Sequence, residues 1–402
     1  MDKIRVGVIG FGQRGNFVLK NVLLQHDEVV VTAVCDVYED RVRDAADKIV
    51  EKGYEMPFKT LKYEEMIDKS KVDCIIVAAS WSCHIEIVIK CLEAGIPCGC
   101  EVGGTENLDE CYRLVEAYER TKTPFMFMEN CCYGRREMMV INMAKQGVFG
   151  EIVHCEGGYH HDLRHEVSHG KEMRHYRLHE YLTRNCENYP THEIGPIAQV
   201  LDINRGNRFV SLSSTASKSA GLHEYIKNHK SDDEELLNAK FAQADVVTTV
   251  IKCERGETVV ITLDTTLPRF YSRDLTVQGT KGMYQEATDS VFLEDDMGSE
   301  EYWDWKPYWG NAEKYQEKYD HEVWKKYLED GVKEGHGGMD YLVYDDFFQH
   351  LKSGEPMPID VYDAAAWMCI TPLSEQSIKN GGTPVDFPDF KKYAETKNNQ
   401  KI

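Results

Sequence analysis

The sequence has no excess of basic residues, no long apolar run, no recurring cysteine pair and no low-complexity linker. Its 402 residues carry 68 acidic against 47 basic side chains, a formal net charge of −21. A surface this negative repels phosphate backbones and anionic lipid, which argues against nucleic acid and membrane as partners. The run of about 18 apolar residues needed to cross a bilayer occurs nowhere, so no transmembrane helix is expected. The 13 cysteines are odd in number and scattered, several of them inside apolar runs such as Val72-Asp73-Cys74-Ile75-Ile76. No C-x-x-C pair recurs at zinc-finger spacing. This usage predicts reduced thiols. Met1-Asp2-Lys3 leads straight into a strand-like Ile4–Ile9 without the pattern of an export leader, so a cytoplasmic protein is expected.

A chain of this length accommodates two domains. From Ile4 to Met128, apolar runs at Ile4–Ile9, Val29–Cys35, Cys74–Val77, Pro97–Cys100 and Phe125–Met128 predict buried strands. Helical patterns such as His84–Ala94 and Leu108–Arg120 lie between them. The alternation predicts a doubly wound parallel α/β sheet over residues 1–128, because right-handed crossovers between parallel strands are most simply helices. Past Met128 the rhythm changes. A helix at Arg135–Gln146, a strand near Ile152–Tyr159, a His-rich irregular stretch and a helix at Glu193–Leu201 lead into β-branched, alternating segments. These are Phe209–Ser213, Val246–Lys252, Thr258–Leu263 and Leu275–Val277. They predict a second α/β domain over 129–402 with a large, mostly antiparallel open sheet, closed by helices at Asp340–Leu351 and Val361–Ile378. The acidic run Ser231–Glu235 and the Trp/Tyr-rich stretch Tyr302–Tyr327 are expected as surface excursions.

After the first strand comes Gly10-Phe11-Gly12-Gln13-Arg14-Gly15, followed by the helix-like Asn16–Leu24. Strand, G-x-G-x-x-G and helix in that order form a dinucleotide fingerprint. Gly10 permits the tight turn, Gly12 lets the backbone approach a pyrophosphate, and Gly15 lets helix and strand pack closely. The helix N-terminus offers its free N–H groups to the anion. The second strand then ends in Asp36, a carboxylate suited to the ribose hydroxyls and repelling to a 2′-phosphate, which predicts NAD rather than NADP. Arg41, the residue that could argue for NADP, is expected to be solvated on a charged helix face.

These residues, with Glu101 at the end of a later strand, resemble the Gfo/Idh/MocA family, whose members pair a Rossmann domain with an open-faced sheet domain and act mostly on sugars and cyclitols. Many family dehydrogenases carry Glu-Lys-Pro at this strand end, whereas this chain has Glu101-Val102-Gly103. The branch of NAD-dependent glycoside hydrolases typified by α-N-acetylgalactosaminidase also lacks the lysine. Further local motifs resemble that branch: Trp81-Ser82-Cys83-His84, Glu129-Asn130-Cys131-Cys132-Tyr133, Gly157-Gly158-Tyr159-His160-His161-Asp162-Leu163-Arg164, and Tyr189-Pro190-Thr191-His192 leading to Ile203-Asn204-Arg205-Gly206. The resemblance implies cofactor contacts from Trp81, His84, Glu101, Val102 and Asn130, beside those of Gly10 to Gly15 and Asp36. It implies sugar contacts from Tyr159, Arg177, Tyr189, His192 and Tyr271. It also implies a homodimer or homotetramer formed through the open sheet face. The chain departs from the branch at Glu193, where typical members carry glycine, and between Arg164 and Tyr189, which is short and rich in His and Arg.

Most glycosidases use two carboxylates, and NAD-dependent families are exceptions. With NAD, oxidation at ring carbon 3 acidifies the hydrogen on carbon 2, so the group on carbon 1 can be eliminated before water adds and the cofactor is regenerated. The expected catalytic set is His192 at the carbon 3 hydroxyl, Tyr159 or Tyr189 at carbon 2, and Arg177 against the developing enolate. The alternatives are a plain NAD-dependent sugar or cyclitol dehydrogenase and a non-catalytic NAD-binding sensor. Without the resemblance, Tyr189–His192 is a helix start, Tyr159 packing and Arg177 a surface ion pair. No metal is expected from His160, His161, His165, His169, His175 and His179, because clustering in sequence does not make ligands converge. Cys131 and Cys132 are expected to be buried. Trp303, Trp305, Trp309 and Trp324 are expected to anchor their excursion or pack between subunits rather than to stack on sugar.

Overall fold

The computed structural model describes residues 3–296, 306–333 and 335–399, and the chain falls into two compact units. The first opens with β1 (Ile4–Ile9), α1 (Gln13–Asn21), β2 (Val29–Cys35), α2 (Glu39–Glu51), β3 (Phe58–Thr60), β4 (Cys74–Val77), α3 (Trp81–Glu93), β5 (Cys98–Cys100), α4 (Leu108–Thr121) and β6 (Phe125–Phe127). The six strands are all parallel, in the order β3-β2-β1-β4-β5-β6. Val6, Val8 and the whole of Cys74–Val77 are buried. Helices cover both faces of such a sheet, so its central strands are continuous apolar runs, each fully buried Val or Ile contributing about 1.5–3 kcal/mol. The strand order reverses between β1 and β4, and Ile9 stands level with Cys35 and Val77. Gly10, Asp36 and Ala78 therefore leave the sheet at one rim, the switch point where doubly wound sheets bind ligands.

The chain continues through α5 (Arg135–Lys145), β7 (Ile152–His160), α6 (Arg164–Ser168), α7 (Arg177–Thr183), α8 (Thr191–Val200), β8 (Phe209–Ala216), α9 (Gly221–His229), α10 (Glu234–Asn238), β9 (Val246–Cys253) and β10 (Thr258–Asp264). It follows with β11 (Thr276–Gly279), β12 (Gly282–Gln285), β13 (Ser290–Leu293), α11 (Glu313–Tyr319) and α12 (Glu322–Asp330), then α13 (Met339–Ser353), α14 (Val361–Met368), α15 (Ile370–Lys379), β14 (Val385–Asp386) and α16 (Phe390–Asn399). The second unit holds an eight-stranded sheet in the order β13-β12-β11-β7-β10-β9-β8-β14. Every adjacent pair is antiparallel except β7 with β10. In β9, Val247, Thr249, Ile251 and Cys253 are buried while Val250 is exposed, the alternation of a sheet covered on one face. Helix α8 packs on β7 and α15 on β8.

The expected second domain running unbroken from 129 to 402 is corrected by the structure. Val332–Cys369 and Phe390–Ile402 belong to the first unit. The cause is the apolar face of α4, where Cys111, Leu114, Val115 and Ala117 need cover. Helices α14 and α16 supply it, Trp367 lying edge-on to Phe127 and Phe390 to Tyr112. The helix expected over Val361–Ile378 is likewise two helices, broken at Cys369. Pro372 explains the break, since it has no N–H and its ring crowds the carbonyl four residues earlier. Asp360 caps α14 by accepting from the backbone N–H groups of Tyr362 and Asp363, at 2.8 and 3.1 Å. The acidic run expected as an excursion contains part of α10, and the His-rich stretch contains α6 and α7. Tyr302, Trp303 and Trp305 lie outside the described residues.

None of the 13 cysteines forms a disulfide, and only Cys83 is exposed. Among the described residues no helix is long and apolar enough to cross a membrane. One buried acid sets a pH dependence. Glu187 is fully buried ahead of α8, its backbone tied to Ser374 and Thr371 of α15. Burial pushes its carboxyl up to about 8, against the pull of backbone groups of Tyr189 and Leu263. The folded chain therefore holds a proton that the unfolded chain has released above the ordinary carboxylate range. Stability falls as pH rises through that window, by at most about 1.4 kcal/mol per unit. Glu187→Gln is expected to flatten the slope. The check is the difference in urea midpoint between the two proteins from pH 5 to pH 8, and a difference that does not change with pH would refute it.

Candidate functional site

In the first unit the predicted cofactor residues gather at the rim of the parallel sheet. Gly10 has φ +98°, and a Cβ there would meet the Ala78 carbonyl oxygen at 2.5 Å, so only glycine fits. A Cβ on Gly15 would run into the Gly10 carbonyl oxygen. Gly12 differs. Its φ of −65° suits any residue, and a Cβ would meet only the Arg41 guanidinium at 3.9 Å. Nothing in the protein requires glycine at 12, and the open space above it fits a ligand that approaches the backbone closely. Helix α1 has no acidic residue in its own first turn to offset the positive end of its dipole. Phe11 is buried and offers its backbone N–H to Asp36 at 2.7 Å, while the Asn16 amide donates to the Phe11 carbonyl at 2.6 Å. Gln13 opens α1.

Asp36 also accepts from the Tyr38 N–H at 3.0 Å, which fixes its carboxylate at the end of β2. Arg41 was expected in solvent and is instead tucked in, 3.8 Å from Asp36 and over the Tyr38 ring at 4.7 Å. The attraction of its charge for that carboxylate and ring outweighs hydration. Trp81 opens α3, and its ring passes so close to Gly103 that a side chain there would clash. That accounts for glycine in Glu101-Val102-Gly103. His84 is buried with Nε2 at 2.8 Å from the Ala79 carbonyl, so Nε2 carries the hydrogen, and burial lowers its pKa and keeps it neutral. Val102 is buried and aliphatic, with no group to move a proton. Glu101 pairs with Arg14 at 2.9 Å. Arg14 also reaches Asp340 at 2.9 Å, and the Asn130 amide donates to the same Asp340 oxygen at 2.7 Å. Asp340 has no counterpart in any motif, and no spacing pointed to it.

In the second unit Tyr159, at the end of β7, converges with Tyr189 and His192 at the start of α8, Arg177 at the start of α7, and Tyr271. The Tyr159 and Tyr189 rings are 4.5 Å apart, and Tyr159 lies 5.7 Å from the His192 ring and 6.3 Å from that of Tyr271. The Tyr189 hydroxyl and His192 Nε2 are 3.2 Å apart, and the Tyr159 hydroxyl is 2.9 Å from His161 Nδ1. The Arg177 guanidinium sits over the Tyr189 ring at 5.1 Å and pairs with Glu166 at 3.2 Å. It is buried, which corrects the surface ion pair expected when the motifs are set aside. Burial pushes the Tyr159 hydroxyl up to about 12 although Arg177 pulls it down. Burial and Arg177 lower the pKa of His161, leaving it neutral. The motif glycines have a packing reason. A Cβ on Gly157 would come within 2.9 Å of Glu193 Cβ on α8, so Glu193 packs its stem on β7. Glu166 and the role of His161 were missed, because no spacing pattern marks them.

The other histidines disperse. His160 bonds Asp274 at 2.8 Å, His165 stacks on His169, His175 stacks on Tyr176, and His179 is exposed. Trp324 is buried and donates to the Tyr133 carbonyl at 2.8 Å, an anchor, whereas Trp309 is exposed. Cys131 and Cys132 are buried.

Residues 4–128 match the family model described as oxidoreductase family, NAD-binding Rossmann fold, and residues 133–397 match that of the glycosyl hydrolase 109 C-terminal domain. A glycosyl hydrolase family 109 protein of Stenotrophomonas maltophilia is 37% identical over 96% of this chain and 89% of its own length. An α-N-acetylgalactosaminidase of Tannerella forsythia is 37% identical over 96% of this chain and 86% of its own. Among solved structures, a levoglucosan dehydrogenase in complex with NADH and levoglucosan superposes with a TM-score of 0.72 at 18% identity, covering 96% of this chain and all of the other. A myo-inositol 2-dehydrogenase from Lactobacillus plantarum does so with 0.68 at 16%, again over 96% of this chain and all of the other. At such identities the structural likeness speaks for the fold.

Proposed function

The chain belongs to glycosyl hydrolase family 109 within the Gfo/Idh/MocA oxidoreductases, NAD-dependent enzymes acting on sugars, and from that premise we propose that it cleaves a glycoside by oxidation and elimination with no net redox change. The observation that carries the reading is the convergence of Tyr159, Arg177, Tyr189 and His192 in one cluster of the second unit. NAD, when bound, supplies a reversible acceptor for the hydride of carbon 3. His192 takes the proton of the carbon 3 hydroxyl, and Tyr189, 3.2 Å from its Nε2, orients the imidazole. Tyr159 works at carbon 2, because Arg177 favours its phenolate and a neutral His161 lies within 2.9 Å to exchange its proton. Arg177 also stabilises the enolate oxygen that develops as carbon 2 loses its proton. Tyr271, half exposed beside His161, is placed to line the sugar. Val102 in place of a proton-transferring lysine weighs against the plain dehydrogenase.

The test incubates the purified protein and NAD with chromogenic glycosides of both anomers and with free sugars, following aglycone release and NADH absorbance together. The name of the Tannerella relative makes α-linked N-acetylgalactosaminides the first substrates to try. Aglycone release without net NADH is expected. Stoichiometric NADH from a free sugar would instead establish a dehydrogenase, and silence in both channels with NAD bound would favour a sensor.

A further inference from the structure

The cofactor residues of the first unit are held by a helix that no fingerprint includes. Asp340 and Tyr344 lie four residues apart on α13, which brings both to one face. Asp340 is fully buried, and its two oxygens take three donors. Oδ1 accepts from Arg14 at 2.9 Å and from the Asn130 amide at 2.7 Å, and Oδ2 from His336 Nδ1 at 2.5 Å. Tyr344 donates its hydroxyl to Glu101 Oε1 at 2.7 Å, the oxygen that Arg14 also reaches. Burial and the charge of Glu101 raise the Tyr344 hydroxyl far above its ordinary range, so it stays a neutral donor. Burial works against the charge on Asp340, yet His336 and Arg14 hold it below the usual carboxylate range. Arg14 comes from the first turn of α1, Glu101 from the end of β5 and Asn130 from the segment after β6, and the fingerprint and the resemblance together assign them to the cofactor. All three end on this helix face. A buried carboxylate is costly unless paired, so an arrangement with two of them around one guanidinium is held together only while every partner is in place.

We propose that Asp340 and Tyr344 are positioning residues of the NAD site: they set the side chains of Arg14, Glu101 and Asn130 so that the cofactor is retained. The inference rests on the reading that the Gly10–Gly15 loop and Glu101 receive NAD. It is tested on the full-length protein stripped of nucleotide, with wild type, Tyr344→Phe and Asp340→Asn compared for NAD affinity by calorimetry and for melting temperature without NAD. Tyr344→Phe removes one donor to a charged group and keeps the ring, so NAD is expected to bind about tenfold more weakly. Asp340→Asn is expected to lose more. In Tyr344→Phe the stripped protein should melt within about 2 °C of wild type, a shift small for a chain of this size, whereas Asp340→Asn, which leaves Arg14 and His336 without their buried carboxylate, is expected to melt lower. Wild-type NAD affinity in both variants would overturn the inference while leaving the NAD reading intact. A fall in affinity of Tyr344→Phe matched by a fall in the melting temperature of the stripped protein would also overturn it, since the role would then be structural. If the wild type itself binds no NAD, the reading of the loop fails and the inference fails with it.

Discussion

Tyr159→Phe is expected to lower turnover of a cleaved glycoside by about 10²- to 10⁴-fold, the usual contribution of a positioned acid or base, while the protein stays folded and NAD stays bound. The phenyl ring keeps the packing against Tyr189, and what is lost is the hydroxyl with its 2.9 Å contact with His161 and its hydrogen bond from Arg177. A base must be a phenolate, and burial opposes that form while Arg177 favours it. The deprotonated fraction grows with pH below the pKa. Wild-type turnover should therefore climb towards alkaline pH, and the variant should not follow. The decisive measurement is exchange of the carbon 2 hydrogen with deuterated water. Tyr159→Phe should abolish exchange while enzyme-bound NADH still forms with substrate, because oxidation at carbon 3 depends on His192. If Tyr189→Phe stops the exchange and Tyr159→Phe does not, the two tyrosines trade roles.

Gly12→Ala is expected to leave the folded protein intact and weaken NAD binding by roughly 10- to 100-fold. The argument rests on a contrast between neighbouring glycines. A methyl group at 15 collides with the Gly10 carbonyl, so Gly15→Ala strains the turn between β1 and α1 whether or not a ligand is present. A methyl group at 12 meets only the end of Arg41, at 3.9 Å, on backbone that alanine adopts freely. Its cost falls on whatever lies against that backbone. Overpacking of this kind costs about 1–3 kcal/mol, which is the stated range in affinity. Calorimetric titration with NAD alongside urea unfolding of the stripped protein reads both quantities. Unchanged affinity in Gly12→Ala would place the pyrophosphate elsewhere.

The strands that sequence located best are those buried on both faces. β1, β2 and β4 begin and end where their apolar runs do. β3 left no such signal, since Phe58 and Lys59 are exposed and the strand is three residues long at the sheet edge. Helices α9 and α10 were hidden in a polar stretch, where propensity is outweighed by the look of a charged loop. The site divides in the same way. Gly10, Gly12, Gly15 and Asp36 announce themselves because a phosphate-binding turn fixes their spacing. Tyr159, Arg177, Tyr189 and His192 could be named only through resemblance, because what unites them is proximity across 33 residues of chain. Asp340 and Tyr344 had neither aid. Their partners Arg14 and Glu101 lie 326 and 243 residues away, and periodicity carries no information over such distances.

The first unit is interrupted at Asn130 and resumes at Val332. On the ribosome, N-terminal segments emerge first and domains fold as units. All six parallel strands, with the glycine turn, are therefore made while Asp340, Tyr344 and the helices that cover α4 are still untranslated. A nascent or prematurely stopped chain carries the fingerprint without its far-side support and leaves the apolar face of α4 bare. Ordering of the nucleotide site thus waits on the last fifth of translation, and shortened products should accumulate as chaperone clients rather than as small NAD-binding proteins.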